Sequence, residues 1–549
     1  MKDKLLKLFT LICCLVFIVP STFAQKKGFN VLHEEKIFGK NYLNNSDIKG
    51  EEILFKNMIH NVFPDSASHY LTFQLEGRNK RGTILQYDLL NKKIVWTKAI
   101  DYETCELLKF DNLLIFNDYN EAYVIDKHTG DHLSKVVNYI YLANPEYNVG
   151  MAYLYIADGD GYYTNDFMGI DLTTSKLMWK RKISREYGWN DFFYLNDSTL
   201  LVVASGLHAI NVKNGTGWDY NAVTGVSLHN NNVDAGAIVG AVIGGILGGL
   251  IGGVIAGAIT GYSGGGFYYI PIYYPATEAV SNVIHNIVSN TLTDSTFIYF
   301  AAREAIVKVD KYSGEIVWKY KFQEELMSSS SIFMDDSVVY LVNKGFAFQG
   351  NRQLNYGKTF IAAFDKQTGE QKYISMLNIN NEQIVDFKQR ENIIYLLFQH
   401  HIAQYHLETG NLILAKELPY KEGGDFVSFV GNQTFIFKDG NLLNLLQDDT
   451  TKIHVYTTQP QILSLDNQCK ITNMMSPHNT GVSFLCYNDY KFIIQDFITN
   501  DRKAFIINKD RKLVAEVDIT ANAFINGNML YDKRENRLIA IDLNNIINK

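Results

Sequence analysis

Few residues in this chain have types and spacings that invite chemistry. Asp158-Gly159-Asp160-Gly161, followed by Asp166, sets carboxylates at alternate positions. Such spacing suits a hard, oxygen-seeking cation, but a full Ca²⁺ loop needs more oxygen ligands and a closing Glu, which this stretch lacks. A tight hairpin turn accounts for Asp-Gly-Asp-Gly equally well, so no metal site is assigned. His400, His401 and His406 form a second cluster. On an alternating strand they cannot all face one side, and a structural role is preferred to a metal site. Of five cysteines, Cys13 and Cys14 fall inside a leading apolar run. Cys105, Cys469 and Cys486 are too few for a disulfide scaffold. Cys469 and Cys486 either pair across neighbouring strands or stay as buried thiols. There is no Walker loop, no His-Glu-x-x-His and no Cys-x-x-Cys-His haem site. No catalytic, cofactor-binding or metal-ligating residue is assigned, and no cofactor is expected.

The 51 Lys and Arg against 58 Asp and Glu leave a net charge of -7. A mildly acidic chain has no broad electrostatic reason to seek phosphate backbones, which argues against nucleic acid as a partner. With 47% hydrophobic and 20% charged residues the chain is neither disordered nor collagen-like. The 34 Tyr, 33 Phe and only 8 Pro lean toward β structure.

The elements repeat. An apolar strand ends in Asp, a Thr-Gly or Ser-Gly turn follows, and a return strand carries Trp. Copies start at Asp88 (Trp96), Asp171 (Trp179) and Asp310 (Trp318), the Trp always eight residues on. Weaker copies start at Asp126, at Asn211 (Trp218), at Asp365 (Tyr373) and at His406 (Leu414), with degenerate ones at Asn508 and Asp542. The Asp closes the first strand and accepts backbone N–H bonds in the turn. Gly tolerates the positive φ of a tight hairpin. The aromatic points inward and packs between neighbouring sheets, so Trp96, Trp179, Trp218 and Trp318 are expected at blade contacts. A period near 40 with β hairpins is the mark of a propeller blade.

This pattern resembles the PQQ-like β-propeller repeat, A-x-D-x-x-T-G-x-x-x-W, over most of residues 50–549. Proteins with it include quinoprotein dehydrogenases and the propeller of the outer-membrane β-barrel assembly machinery. The resemblance implies an all-β fold: a single propeller of about eight four-stranded blades, with seven as the alternative. It is specific for fold and weak for function. A quinoprotein would need a PQQ pocket, a bound Ca²⁺, a base and often a disulfide of adjacent cysteines. The only adjacent pair, Cys13-Cys14, lies in the leading segment.

Residues 1–24 read as a signal peptide: Lys2, Lys4 and Lys7, an apolar run from Leu8 to Pro20, then Thr22 and Ala24 before Gln25. The propeller is expected over 25–231 and 291–549. Only seven residues follow Asp542, so a strand from Phe29 to Phe63 is expected to complete the last blade and close the ring.

Residues 232–290 do not belong to the repeat. From Ala235 to Thr277 there are 43 positions without a charge. Gly236, Gly240, Gly244, Gly248 and Gly252 keep a four-residue period, and Gly257 and Gly261 fall in a second register. On a helix such glycines share a face on which two backbones approach closely, as in lipid. The segment resembles the glycine zippers of bacterial envelope proteins and is expected to be helical, tethering the ring to a membrane or joining copies into an oligomer. Both flanks belong to one ring, so a single membrane span would strand the later blades.

The reading is an exported, non-enzymatic propeller of the bacterial periplasm, outer membrane or cell surface, binding a protein partner or envelope component. Alternatives are a degenerate quinoprotein-like enzyme using the channel and a soluble secreted adhesin.

Overall fold

The computed structural model describes residues 31–230 and 289–547, apart from 66–67, 78, 103, 159–161, 184–190, 205, 222–225, 303, 350–351 and several short stretches between 419 and 521. The expected signal peptide, Cys469 and the zipper glycines Gly236, Gly240, Gly244, Gly248, Gly252, Gly257 and Gly261 lie outside the described residues. Among the described residues no helix is long and apolar enough to cross a membrane.

Alternation of apolar and polar residues folds the chain into successive antiparallel meanders. Ile59–Pro64, Tyr70–Leu75, Arg81–Asp88 and Lys93–Asp101 make the first four-stranded sheet. Equivalent sheets follow over 105–136, 140–182, 191–230, 292–321, 330–376, 384–417 and 426–475, the sheet at 191–230 having a fifth strand. The last residues enter a nine-stranded sheet that joins two further meanders.

Successive sheets face one another across shared cores, which makes them blades of a propeller. One core joins 105–136 to 140–182 and 191–221. Others join 191–221 to 292–321, 292–321 to 330–376, and 330–376 to 384–417. In the core between 292–321 and 330–376, Tyr299, Phe322, Phe360 and Phe364 are buried. Each such side chain contributes roughly 1.5–3 kcal/mol.

The expected closing strand is present. Ser46–Leu54 pairs antiparallel with Arg537–Asp542, with Glu51 opposite Ala540 and Leu54 opposite Arg537. The closure goes further than expected. Ser46–Leu54 is one arm of a hairpin whose other arm, Leu32–Asn41, pairs with Leu513–Val517 of the preceding blade. Asn41 Nδ2 also donates to Ile546 O at 2.8 Å, in the short C-terminal helix Asn544–Ile547.

The described residues on either side of the Gly-rich segment, Asn230 and Ser289, lie at opposite ends of the blades. Its preceding strand, Val226–Asn230, ends with Asn230 beside Gly217, at the repeat-turn end. Its return is fastened at the other end, where Ala301 N donates to Ser289 Oγ at 2.7 Å. Asn290 then exchanges two hydrogen bonds with Ile332, on the first strand of the next blade, at 2.8 and 3.0 Å.

Candidate functional site

The repeat turns build the seams on which any binding face rests. The residue four places after the Asp has positive φ in seven turns: Lys92, Gly130, Ser175, Gly215, Gly314, Gly369 and Gly410. At Asp365 the turn is closed by Thr368 N and Gln367 N, both donating to Oδ1, and by Gly369 N donating to the carbonyl. The Thr368 N–H holds the Asp365 carboxyl below its usual value against the opposing effect of desolvation.

Each aromatic of a return strand reaches the turn of the next blade. The indole N–H of Trp96 donates to Lys127 O at 3.0 Å, Trp179 to Val212 O at 2.6 Å, Trp218 to Lys311 O at 3.3 Å and Trp318 to Lys366 O at 3.2 Å. Tyr373 OH donates to Leu407 O at 2.7 Å. The acceptor is always the residue after the turn-opening Asp, Asn or His. Where Ser134 replaces the aromatic, its hydroxyl donates to the equivalent carbonyl, Leu172 O. The turn glycine lies flat on the ring: a Cβ on Gly130 would sit 2.6 Å from Trp96, and one on Gly314 2.4 Å from Trp218.

Trp218 sits seven residues after its turn opener, the other three eight, and the register accounts for the difference. Trp96, Trp179 and Trp318 pair with Gln86, Gly169 and Lys308, two before the Asp, and the ladder skips one residue beside each pair. Trp218 pairs with Ala209, also two before its opener, without a skip. Losing the bulge residue keeps the indole on the same face.

The opposite end of the blades carries tyrosines. Tyr119 in the turn after Leu113–Asp118, and Tyr162 in the hairpin after Val149–Ile156, are 69% and 52% exposed. Tyr139, Tyr141, Tyr155 and Tyr163 lie half-buried beside them, with ring centroids of Tyr139 and Tyr141 4.8 Å apart and of Tyr155 and Tyr163 4.9 Å apart. Tyr163 OH donates to Asn120 Oδ1 at 2.6 Å and Tyr155 N to Asn138 Oδ1 at 3.1 Å, so loops of two blades are held together. On the same face the hairpin Val338–Gln349 and Arg352–Asp365 stays paired out to Gln349 and Arg352, well past its neighbours.

The residues singled out for chemistry are dispersed. Asp166 is buried, and against desolvation its carboxyl is held low by the hydrogen bond and charge of Lys182 and by the charge of Lys180. Asp158 lies exposed near the hairpin tip, apart from it. His401 Nδ1 meets Glu382 Oε1 at 2.7 Å and His400 N donates to Glu382 Oε2 at 2.8 Å. His406 opens a repeat turn. Among the described residues no three His, Cys, Asp or Glu are grouped to hold a metal ion. Cys105 is buried, and burial pushes its thiol up to about 11.

One buried cluster is invisible in the sequence. Arg181, on the fourth strand of one blade, reaches the next, where its guanidinium contacts Asp219 Oδ1 at 2.5 Å and donates to Ala209 O at 2.7 Å. Asp219 Oδ1 also meets His208 Nδ1 at 2.7 Å. Burial pushes the Asp219 carboxyl up, but His208 and Arg181 outweigh it and hold it low. These residues share no motif, since their positions differ by 38 and 11.

Sheet order and seams together define a β-propeller of PQQ-like repeats. Residues 280–437, less than a third of the chain, match the family model described as outer membrane protein assembly factor BamB. No curated protein matches the chain in sequence. Among solved structures, BamB from Moraxella catarrhalis is 9% identical, the match covering 75% of this chain and 96% of that one with a TM-score of 0.31. Sqt1 from Saccharomyces cerevisiae is 9% identical, covering 84% and 95% with a TM-score of 0.30. The C-terminal WD40 domain of Sif2 is 10% identical, covering 70% and 94% with a TM-score of 0.28.

Proposed function

We propose that this protein is an exported, non-catalytic propeller scaffold of a bacterial envelope, holding protein partners on its tyrosine-bearing face. The segment 235–266 tethers the ring to a membrane or to further copies. The observation that carries the reading is the exposed Tyr119 and Tyr162 on loops that their neighbours hold in place. Tyrosines supply large, stiff contact area with a polar tip, and propellers present partners on the loops between strands. The description of the matched family, an outer membrane assembly factor, supports an envelope address. The charge-free stretch from Ala235 to Thr277 supports the tether.

The test is fractionation of the expressed protein with and without residues 235–266. The intact chain is expected in the membrane pellet and the deletion in the soluble fraction, both with β-type circular dichroism. An intact chain that stays soluble overturns the membrane tether, and light scattering then decides whether the segment joins copies.

A further inference from the structure

The outer edges of the blades are guarded, with one exception. Lys93–Asp101, His132–Val136, Leu177–Lys182, Ile316–Lys321, Gln371–Met376 and Leu412–Glu417 each stand at the end of their sheet. Each carries a lysine: Lys98, Lys135, Lys180, Lys319, Lys372 and Lys416 in turn. In each the ladder also skips one residue. Edge lysines and bulges stop one sheet edge from pairing with another. The blade at 191–230 has neither device. Its fourth strand, Gly217–Asn221, keeps register without a skip and holds no lysine. The fifth strand, Val226–Asn230, pairs along it, again without a skip. That fifth strand reads Val-Ser-Leu-His-Asn, with no Lys, Arg, Asp, Glu or Pro. Among the described residues no strand pairs with its outer side.

An edge without charge or bulge is complementary to itself. Two copies of it bring no like charges together, whereas a charged peptide finds no opposite charge on it. We propose that Val226–Asn230 pairs antiparallel with the same strand of a second copy of this chain, about a twofold axis. Two five-stranded blades then form one continuous sheet. Full overlap of the five residues sets Leu228 opposite its own counterpart, Val226 opposite Asn230 and Ser227 opposite His229. The two Asn230 then stand about 14 Å apart, four residues along the strands and one strand spacing across. Ala235, where the charge-free stretch begins, is five positions further on. The pairing therefore brings the starts of two such stretches within reach of each other. The inference goes beyond the tether reading, because the joint lies in the sheet and does not require residues 235–266.

The test is analytical ultracentrifugation of the full chain and of the deletion lacking 235–266, both in the same mild detergent. Both are expected to dimerise. S227K/H229K sets lysine opposite lysine at two places. It is expected to raise the dissociation constant of the deletion protein about tenfold or more, with unchanged β-type circular dichroism. L228C is expected to form a disulfide between copies on mild oxidation, since directly opposed residues lie about 4.5–5.5 Å apart at Cα. Wild-type protein under the same oxidation is the control. A full chain that dimerises while the deletion stays monomeric puts the joint in the Gly-rich segment and overturns the proposal. So does S227K/H229K that dimerises as well as its parent, or L228C that crosslinks no more than wild type. None of these results bears on the membrane tether, which fractionation tests separately.

Discussion

Trp218 and Lys311 are 93 positions apart, yet the indole N–H of the first donates to the carbonyl of the second at 3.3 Å. The same contact joins Trp179 to Val212 across 33 positions. The seam is therefore continuous across the Gly-rich segment, and the blades at 191–230 and 292–321 are neighbours whatever that segment does. Deleting 235–266 leaves 26 of the residues from 231 to 288. At about 3.3 Å each they reach far beyond the roughly 20 Å length of a blade strand. The deletion is expected to keep the wild-type far-UV spectrum and melting midpoint, and a thermal melt checks it.

Trp179→Phe removes the donor to Val212 O and strands that carbonyl in the seam. The expected cost is about 1–3 kcal/mol in urea unfolding. Gly314→Ala sets a methyl 2.4 Å from Trp218 at φ +71, and an expected loss of about 1–3 kcal/mol follows from overpacking together with backbone strain. Gly527→Ala also has positive φ but meets nothing within 4 Å, so it reports the backbone strain alone. The larger loss is expected for Gly314→Ala.

Arg181→Leu removes the buried guanidinium that contacts the half-buried Asp219. About 3–5 kcal/mol is expected to be lost. Adding Asp219→Asn is expected to restore part of it, and the double-mutant cycle gives the coupling.

The same carboxyl makes a pH prediction. Asp219 is held below its ordinary value of 3.8, so the unfolded chain takes up its proton first as pH falls. The stability it contributes is present above 3.8 and lost as pH falls through the lower folded value. Urea midpoints of wild type and Asp219→Asn are expected to converge between pH 7 and pH 3.

Tyr119→Ser with Tyr162→Ser changes two exposed rings that carry little of the core. Stability is expected within about 0.5 kcal/mol of wild type. Partner crosslinks formed by the wild-type protein in envelope preparations are expected to be lost, and unchanged crosslinks would exclude this face.

The blade pattern was legible because each repeat turn is local. Asp310, Ser313, Gly314 and Trp318 lie within nine positions, and the turn, its positive φ and the inward ring follow from those residues alone. The repeat likewise marks Arg537–Asp542 as a strand in want of a return partner, which Ser46–Leu54 supplies. The other arm of that hairpin, Leu32–Asn41, gave no such signal, because nothing in its residues names Leu513–Val517 as a partner.

Sequence by itself determined the repeat, the period-two strands and the need for closure, since backbone sterics, turn chemistry and alternation act over a few residues. Tertiary structure alone decided that Trp218 reaches Lys311 and that Arg181 finds Asp219 and His208. Those contacts join residues that only ring packing brings together, and burial, which no single residue carries in its identity, gives their charges and hydrogen bonds their weight.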